Sequence, residues 1–580
     1  MDEWLVETNL SQKFPFYTRA NVGEVFPDPV APLSFSYFEG PGGLGGSEMG
    51  FRDAFVKIGA FTMDEFPDDE CLFLGVTGGY CYLNASAMRV FGHRAPGMTA
   101  QDIDDTFFGA APGVPEFVVR DGYDRPECTK KVGETFGWVL TTDGLPEVAT
   151  DEELVDRLRL ERPDFSAMSD RELVDFTLDR MDTHFRHLFG QHIFVTFMAT
   201  LPLGVITAVA TGVGQPEAVL KLVAGVGDVE SAAPSMAMWD LGRIVAGSAP
   251  VGAAFDKGID GLDARLRGSD DASVQAWLER FDEFLFSYGC RGPNEWEMRS
   301  PTWETEPDLA LAAIDRMRLS PESAAPQGHN AERAEEREAL GASIAEMVAG
   351  DPEAHGQFMA ALSAAKTFLA GRERTKTNCI KLIQEGRMAM RELGRRQVDA
   401  GNFPQIRSFG LLTRTELFEF LDNPDGWRQR LDGREAMFEE AGAIQEPFLF
   451  VGEAPPMSSY PRRDAVVVDP AVAGDALQGV SGCPGKARGI ARVVVDSHDP
   501  SALAPGDILV APITDPSWTP LFVPASAVVV DVGAPLSHAI IVSRELGIPC
   551  VVSVTDATKK IVDGALIEVD GDTGMVTVLE

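Results

Sequence analysis

The segment Asp531-Val532-Gly533-Ala534-Pro535-Leu536-Ser537-His538-Ala539-Ile540-Ile541-Val542-Ser543-Arg544-Glu545-Leu546-Gly547-Ile548-Pro549-Cys550 decides how this chain is read. Just before it, Ala527 to Asp531 is a β-branched run, which predicts a buried strand. Val532 to Ser537 carries Gly and Pro and predicts a loop. Ala539 to Leu546 has helical spacing and stops at Gly547, with Pro549 behind it. Val551 and Val552 open the next strand. Ser537 and His538 therefore stand where a strand hands over to a helix. The first amides of a helix are unpaired, and its dipole places partial positive charge there, so a phosphate is stabilised at that point. A neutral imidazole, with an ordinary pKa of about 6.5, is a nucleophile near pH 7. His538 is thus a candidate to carry a phosphoryl group covalently, which splits one hard transfer into two easier ones. The plainer reading of a histidine at such a junction is a helix cap.

Working outward, two further stretches belong with the first: Gly479-Val480-Ser481-Gly482-Cys483-Pro484-Gly485-Lys486-Ala487-Arg488-Gly489 and Thr514-Asp515-Pro516-Ser517-Trp518-Thr519-Pro520-Leu521. In this order, with Ser537-His538-Ala539 and Arg544-Glu545-Leu546-Gly547-Ile548-Pro549, they resemble the phosphohistidine swivelling domain of the phosphoenolpyruvate-utilising enzymes. Leu536 departs from that pattern, where the family often has Thr. The N-terminal stretch Tyr17-Thr18-Arg19-Ala20-Asn21-Val22-Gly23-Glu24 to Ser34 resembles the start of the acceptor-binding domain in the rifampin phosphotransferase branch. There it follows an ATP-grasp domain; here it lies almost at the first residue.

The resemblance implies a multidomain chain. A large, mainly α-helical acceptor-binding domain over 1–450, with mixed β at 1–150, precedes a linker over 451–476. A small β/α swivelling phosphohistidine domain follows over 477–580. The linker reading also rests on paired prolines and few periodic apolar positions; about 25 residues at ~3.3 Å each reach roughly 80 Å. The resemblance also implies a dikinase-type cycle, with His538 as catalytic carrier and Ser537, Thr514 and Asp515 positioning phosphate. Arg372 and Lys376 lie four apart on a predicted helix, and two cations on one face suit the charge of a phosphoryl group in flight. They match an Arg-Glu-x-x-Lys element of the family, which gives them a catalytic role; the alternative is a solvated basic face. Arg291, Glu295 and Trp296 match an acceptor-domain stretch, except that Cys290 replaces its usual His. They line an acceptor site or form a buried salt bridge with its packing.

The cofactors implied are ATP and Mg2+, bound by a separate ATP-grasp chain as in two-subunit relatives such as phenylphosphate synthase. The acceptor implied is the hydroxyl of a small, apolar molecule. Competing readings are a non-catalytic binding or regulatory protein that kept the fold, and an enzyme using the pocket for non-phosphoryl chemistry.

Composition bounds these readings. A formal charge of −39 argues against nucleic-acid or anionic-membrane partners. Seven cysteines, an odd number without framework spacing, point to reduced thiols and the cytoplasm. No Cys-x-x-Cys pair marks a zinc site, and no metal is expected. His184 and His187 share a helix face, but no carboxylate motif completes a metal set, so these and His192 read as ordinary helix histidines. Ile193 to Val213 is long enough to span a membrane, yet Pro202 and several Thr favour two buried helical pieces. Glu39 to Ser47 is glycine-rich without a Walker lysine and reads as a surface loop. Residues 320–336 are Ala/Pro/Glu-rich and predict a mobile loop, with a long helix resuming at Arg337.

Overall fold

The computed structural model describes residues 4–39, 44–108, 113–223, 233–320, 322, 325–465, 468–495, 503–515, 518–533 and 537–579. The glycine-rich stretch 40–43 and the departure at Leu536 lie outside them. Contacts divide the chain into two units. One joins Met1–Leu201, Trp296–Ser300 and Arg374–Val467; the other joins Pro202–Glu295, Pro301–Glu373 and Val468–Glu580. This division differs from the expected one at 450 and 477.

The first unit holds a four-stranded antiparallel sheet of β1 (Phe16–Thr18), β2 (Leu74–Thr77), β3 (Tyr80–Asn84) and β4 (Leu449–Val451), in the order β2-β3-β1-β4. Gly78 and Gly79 take φ of 56° and 81°, the left-handed pair that closes a two-residue hairpin. Asn84 then caps the helix Ala85–Arg94 by accepting from the Ala87 N–H. Ser169 and Glu172 form a capping box that starts the helix Asp170–Met198. That helix packs closely on Gly46–Ile58: a Cβ at Gly50 would lie 2.9 Å from Gly190 N, so glycine is required there. Of the stretch read as a linker, residues 451–465 belong to this unit. Met457 and Tyr460 are buried with Trp4, Tyr17 and Tyr80, and Arg462 bridges back to Ile444. The apolar side chains between the prolines anchor it, a contact that local spacing does not reveal.

The apolar run from Ile193 breaks at Ala199, close to Pro202, between the helices Asp170–Met198 and Thr200–Gly212. The second helix buries only Pro202, Ile206 and Ala210, less than expected. By length and composition alone, Asp170–Gly212 is apolar enough to cross a membrane.

In the second unit, the residues read as a mobile loop are largely helical: Pro326–Met347 is one helix. Ala and Glu are strong helix formers, and Pro is favoured in the first turn. The helix does not continue as expected from Arg337. It ends at Met347, and a new one, Pro352–Asp399, begins where the Asp351 carboxylate accepts from the Glu353 and Ala354 N–H groups.

The C-terminal part is an eight-stranded mixed sheet. It comprises β5 (Ala476–Gln478), β6 (Val480–Cys483), β7 (Lys486–Val493), β8 (Ile508–Ala511), β9 (Ala527–Val530), β10 (Cys550–Val552), β11 (Leu566–Asp570) and β12 (Met575–Val578). Their order is β5-β12-β11-β7-β8-β9-β10-β6, with β7 through β10 parallel. Side chains alternate between the two faces. Ile508, Val510, Ala527 and Val529 join one apolar cluster with Ile561 and Ile567. Leu509, Ala511, Val528 and Val530 join another, which also holds Trp518, Leu521 and Phe522. That second cluster continues without a break into Trp239, Trp277 and Phe281 of the helices Ala233–Gly247 and Ala272–Tyr288. The β/α domain and these helices thus share one core.

Candidate phosphoryl-carrier site

His538 is the first residue of the helix His538–Leu546, with Ser537 at its N-cap and left-handed Gly547 at its end. The helix lies between β9 and β10, at the expected strand-to-helix junction. The imidazole is only partly buried, and both ring nitrogens meet hydroxyls. Nδ1 lies 3.1 Å from Thr514 Oγ1 and Nε2 lies 3.0 Å from Thr519 Oγ1. In a neutral ring one nitrogen carries the proton and the other a lone pair. One threonine therefore accepts while the other donates, whichever tautomer is present. Phe522 sets its ring at 82° to the imidazole, with centroids 5.8 Å apart.

Ser537 Oγ is buried and has no hydrogen-bond partner among the described residues. Asp515 Oδ2 accepts from the Asn294 N–H at 3.0 Å, tying the loop after β8 to the turn that follows Tyr288. Asp531 ends β9 and begins the histidine loop. Its carboxylate accepts from the Thr558 N–H at 2.8 Å and from the Thr558 hydroxyl. Burial nonetheless pushes its pKa from 3.8 up to about 6, with Asp556 adding repulsion and Thr558 opposing.

The other expected residues are distributed as follows. Arg291 and Glu295 are both buried and bind each other at 3.0 Å, the salt-bridge alternative rather than an open lining. Trp296 belongs to the other contact unit, where its ring packs beside Phe189 and His192. Arg372 and Lys376 both lie on Pro352–Asp399, and Arg372 Nη1 donates to Glu373 at 3.1 Å. The unit boundary falls between them, after Glu373. His187 pairs with Asp151 at 2.7 Å, which raises its pKa. Among the described residues no group of three or more His, Cys, Asp or Glu is arranged to hold a metal ion. All seven cysteines are buried free thiols.

Thr519, Phe522 and Asp531 escaped the sequence reading as site residues. Thr519 stands in the quoted Thr514-to-Leu521 stretch, so the signal was present. Its five-residue offset from Thr514 gave no hint that both hydroxyls reach one ring.

Two family profiles match this chain. The profile for the rifampicin phosphotransferase fourth domain covers residues 191–373, and that for the mobile domain of PEP-utilising enzymes covers 503–574. Among individual relatives, rifampicin phosphotransferase of Streptomyces sviceus is 29% identical over 335 residues, 57% of this chain and 37% of that protein. Chondramide synthase of Chondromyces crocatus is 29% identical over 370 residues, 59% of this chain and 9% of that protein. Phosphoenolpyruvate synthase of Aeropyrum pernix is 46% identical over 101 residues, 17% of this chain and 12% of that protein. The chain thus spans less than two fifths of the length of each of these relatives. Its residues 503–574 match the mobile domain of the phosphoenolpyruvate-utilising enzymes and its residues 191–373 the rifampicin phosphotransferase fourth domain, so that the chain resembles rifampicin phosphotransferase.

Proposed function

We propose that this chain is the histidine-bearing component of a dikinase-type phosphotransferase. A separate ATP-grasp chain binds ATP and Mg2+. The lone pair of a His538 ring nitrogen attacks the β-phosphorus and AMP leaves. Water then releases the γ-phosphoryl group as inorganic phosphate. The phosphoryl group left on the nitrogen passes to the hydroxyl of a small acceptor bound by the helical part of the chain. The setting is the cytoplasm, where the seven buried thiols stay reduced.

The observation that carries this reading is the position of His538 itself. It sits at the mouth of a helix, between two threonine hydroxyls, inside the residues that match the mobile domain. Helix-terminal amides and the unpartnered Ser537 hydroxyl can donate to phosphoryl oxygens there. Thr514 and Thr519 fix the ring's tautomer and must yield one nitrogen for the attack. Asp515 acts indirectly, by holding the Thr514 loop. Arg372 and Lys376 are assigned to charge stabilisation during transfer.

The test uses ATP labelled at the β-phosphate, the ATP-grasp partner and this chain. Acid-labile label should appear on the chain and be absent from His538→Ala. A partner that charges itself but never this chain would remove the carrier role.

A further inference from the structure

Two of the seven buried free thiols face each other across a pair of strands. Cys483 closes β6, Cys550 opens β10, and the antiparallel register pairs the two residues directly. The register then slips by one, so that Val551 pairs with Ser481 and Gly482 is the extra residue of a bulge. A Cβ at Gly482 would lie 3.2 Å from Cys550 Sγ, so that sulfur fills the space beside Cys483 where a side chain would go. Among the described residues no other two cysteines are ladder partners. Cys71 bridges to Leu10, Cys81 pairs with Val76, and Cys128, Cys290 and Cys379 lie outside the strands.

Both sulfurs lie against the helix that His538 begins. The Cys483 thiol donates to Ser543 O at 3.5 Å, and the Cys550 thiol donates weakly to Ala539 O at 3.9 Å, one turn away. Both residues share an apolar cluster with Ala539, Ile540 and Val542 of that helix. The plain reading is two small core residues, because burial pushes the Cys550 thiol up to about 12 and keeps it protonated. That protection lasts only while the strand is seated. β6 is four residues long, stands at the end of the sheet order beside β10, and leaves Val480 48% exposed. Short terminal strands open locally far more often than a whole domain unfolds.

We propose that Cys483 and Cys550 form a reversible disulfide under oxidising conditions, and that the bond displaces the helix carrying His538. The oxidant is a peroxide. A thiolate exposed by opening attacks one peroxide oxygen, which gives a sulfenic acid and a hydroxide that leaves as water. The second thiol then displaces the sulfenic hydroxyl, which leaves as a second water while the S–S bond forms. Opposed Cβ atoms in a ladder lie about 4.5–5.5 Å apart, and a disulfide holds them at ~3.8 Å. The seam between β6 and β10 must therefore tighten by on the order of 1 Å. The bond also takes both S–H donors away from Ser543 O and Ala539 O. A misplacement of about 1 Å can slow a reaction roughly a hundredfold. The disulfide stands apart from the proposed function; only its effect on charging of His538 rests on that reading.

The full chain is treated with hydrogen peroxide, its remaining thiols are blocked with iodoacetamide, and linked peptides are mapped by mass spectrometry. A Cys483–Cys550 peptide should appear, vanish with dithiothreitol, and be absent from Cys550→Ala. The nitrogen chemical shifts of His538 should move when the parent is oxidised and stay in place in peroxide-treated Cys550→Ala. Labelling of His538 from ATP should fall tenfold or more in the oxidised parent and recover with dithiothreitol. The reduced parent is its own control, so the test holds even where Cys550→Ala fails to fold. No linked peptide, or both cysteines recovered as sulfonic acids, would overturn the pair. A linked peptide with unmoved His538 shifts would overturn the coupling to the helix. A linked peptide and moved shifts, with no label on His538 before or after oxidation, would remove the proposed function and leave this inference standing.

Discussion

Replacing Asp531 by Asn tests whether burial at the base of the histidine loop sets a pH-dependent stability. The carboxylate's pKa rises from 3.8 to about 6, chiefly through burial. An acid whose folded pKa lies above its ordinary value binds its proton more tightly when folded. Its contribution therefore favours the fold at low pH, declines as pH climbs from about 4 to about 6, and is flat above that. At about 1.36 kcal/mol per pH unit, the decline amounts to about 3 kcal/mol. Asn does not titrate. It keeps an oxygen for the Thr558 N–H and a nitrogen that the Thr558 hydroxyl can accept. The assay is the melting temperature of parent and variant from pH 4 to pH 8, read as the difference between them. Other titrating groups, His187 included, are common to both proteins and drop out of that difference. The Asp531→Asn variant should gain on the parent by about 6 °C across the window, at about 2 °C per kcal/mol for a unit of this size. Parallel melting profiles for the two proteins would refute the reasoning.

Arg372→Ala and Lys376→Ala should each slow transfer from His538 tenfold or more while leaving the yield of labelled histidine intact; unchanged transfer rates would take them out of the site. Thr514→Val and Thr519→Val each remove one hydroxyl from the imidazole, a contact worth about 1 kcal/mol. They should shift the tautomer balance of His538 in opposite directions, read from its nitrogen chemical shifts; shifts in the same direction would contradict the two-sided clamp. The Asp151 hydrogen bond raises the pKa of His187, so this pair stabilises the fold below pH 6.5 and loses that effect as pH rises through the folded value. His187→Gln should therefore melt below the parent at pH 5.5 and match it at pH 9, and a constant gap across that range would dismiss the pair.

The histidine junction was legible because its signals are local. A β-branched run, a Gly/Pro loop and a Gly stop each act on their own neighbours, and β9 and β10 follow from the same runs. Strands β5 and β6 are short and mix Gly, Gln and Ser with few apolar residues, so only pairing defines them. The helix from Pro326 was hidden by reading Ala and Glu as disorder, although both favour helices. The Arg291–Glu295 bridge is one of the two readings open in the sequence, and only the structure chooses it. The meeting of Thr514 and Thr519 at one ring depends on tertiary proximity, which no spacing rule encodes.

On the proposed carrier role, the core shared by the β/α domain and the neighbouring helices would govern how often the histidine travels. Any excursion away from those helices wets Trp518, Leu521 and Phe522. At about 1.5–3 kcal/mol for each large apolar side chain, the detached form is scarce and short-lived. Sulfate should make it scarcer, and cooling should make it commoner, because hydrophobic adhesion strengthens in such salts and fades in the cold. Turnover in this chain would then be paced by the letting-go of a greasy seam, and a cold-adapted relative would be expected to loosen that seam before altering its chemistry.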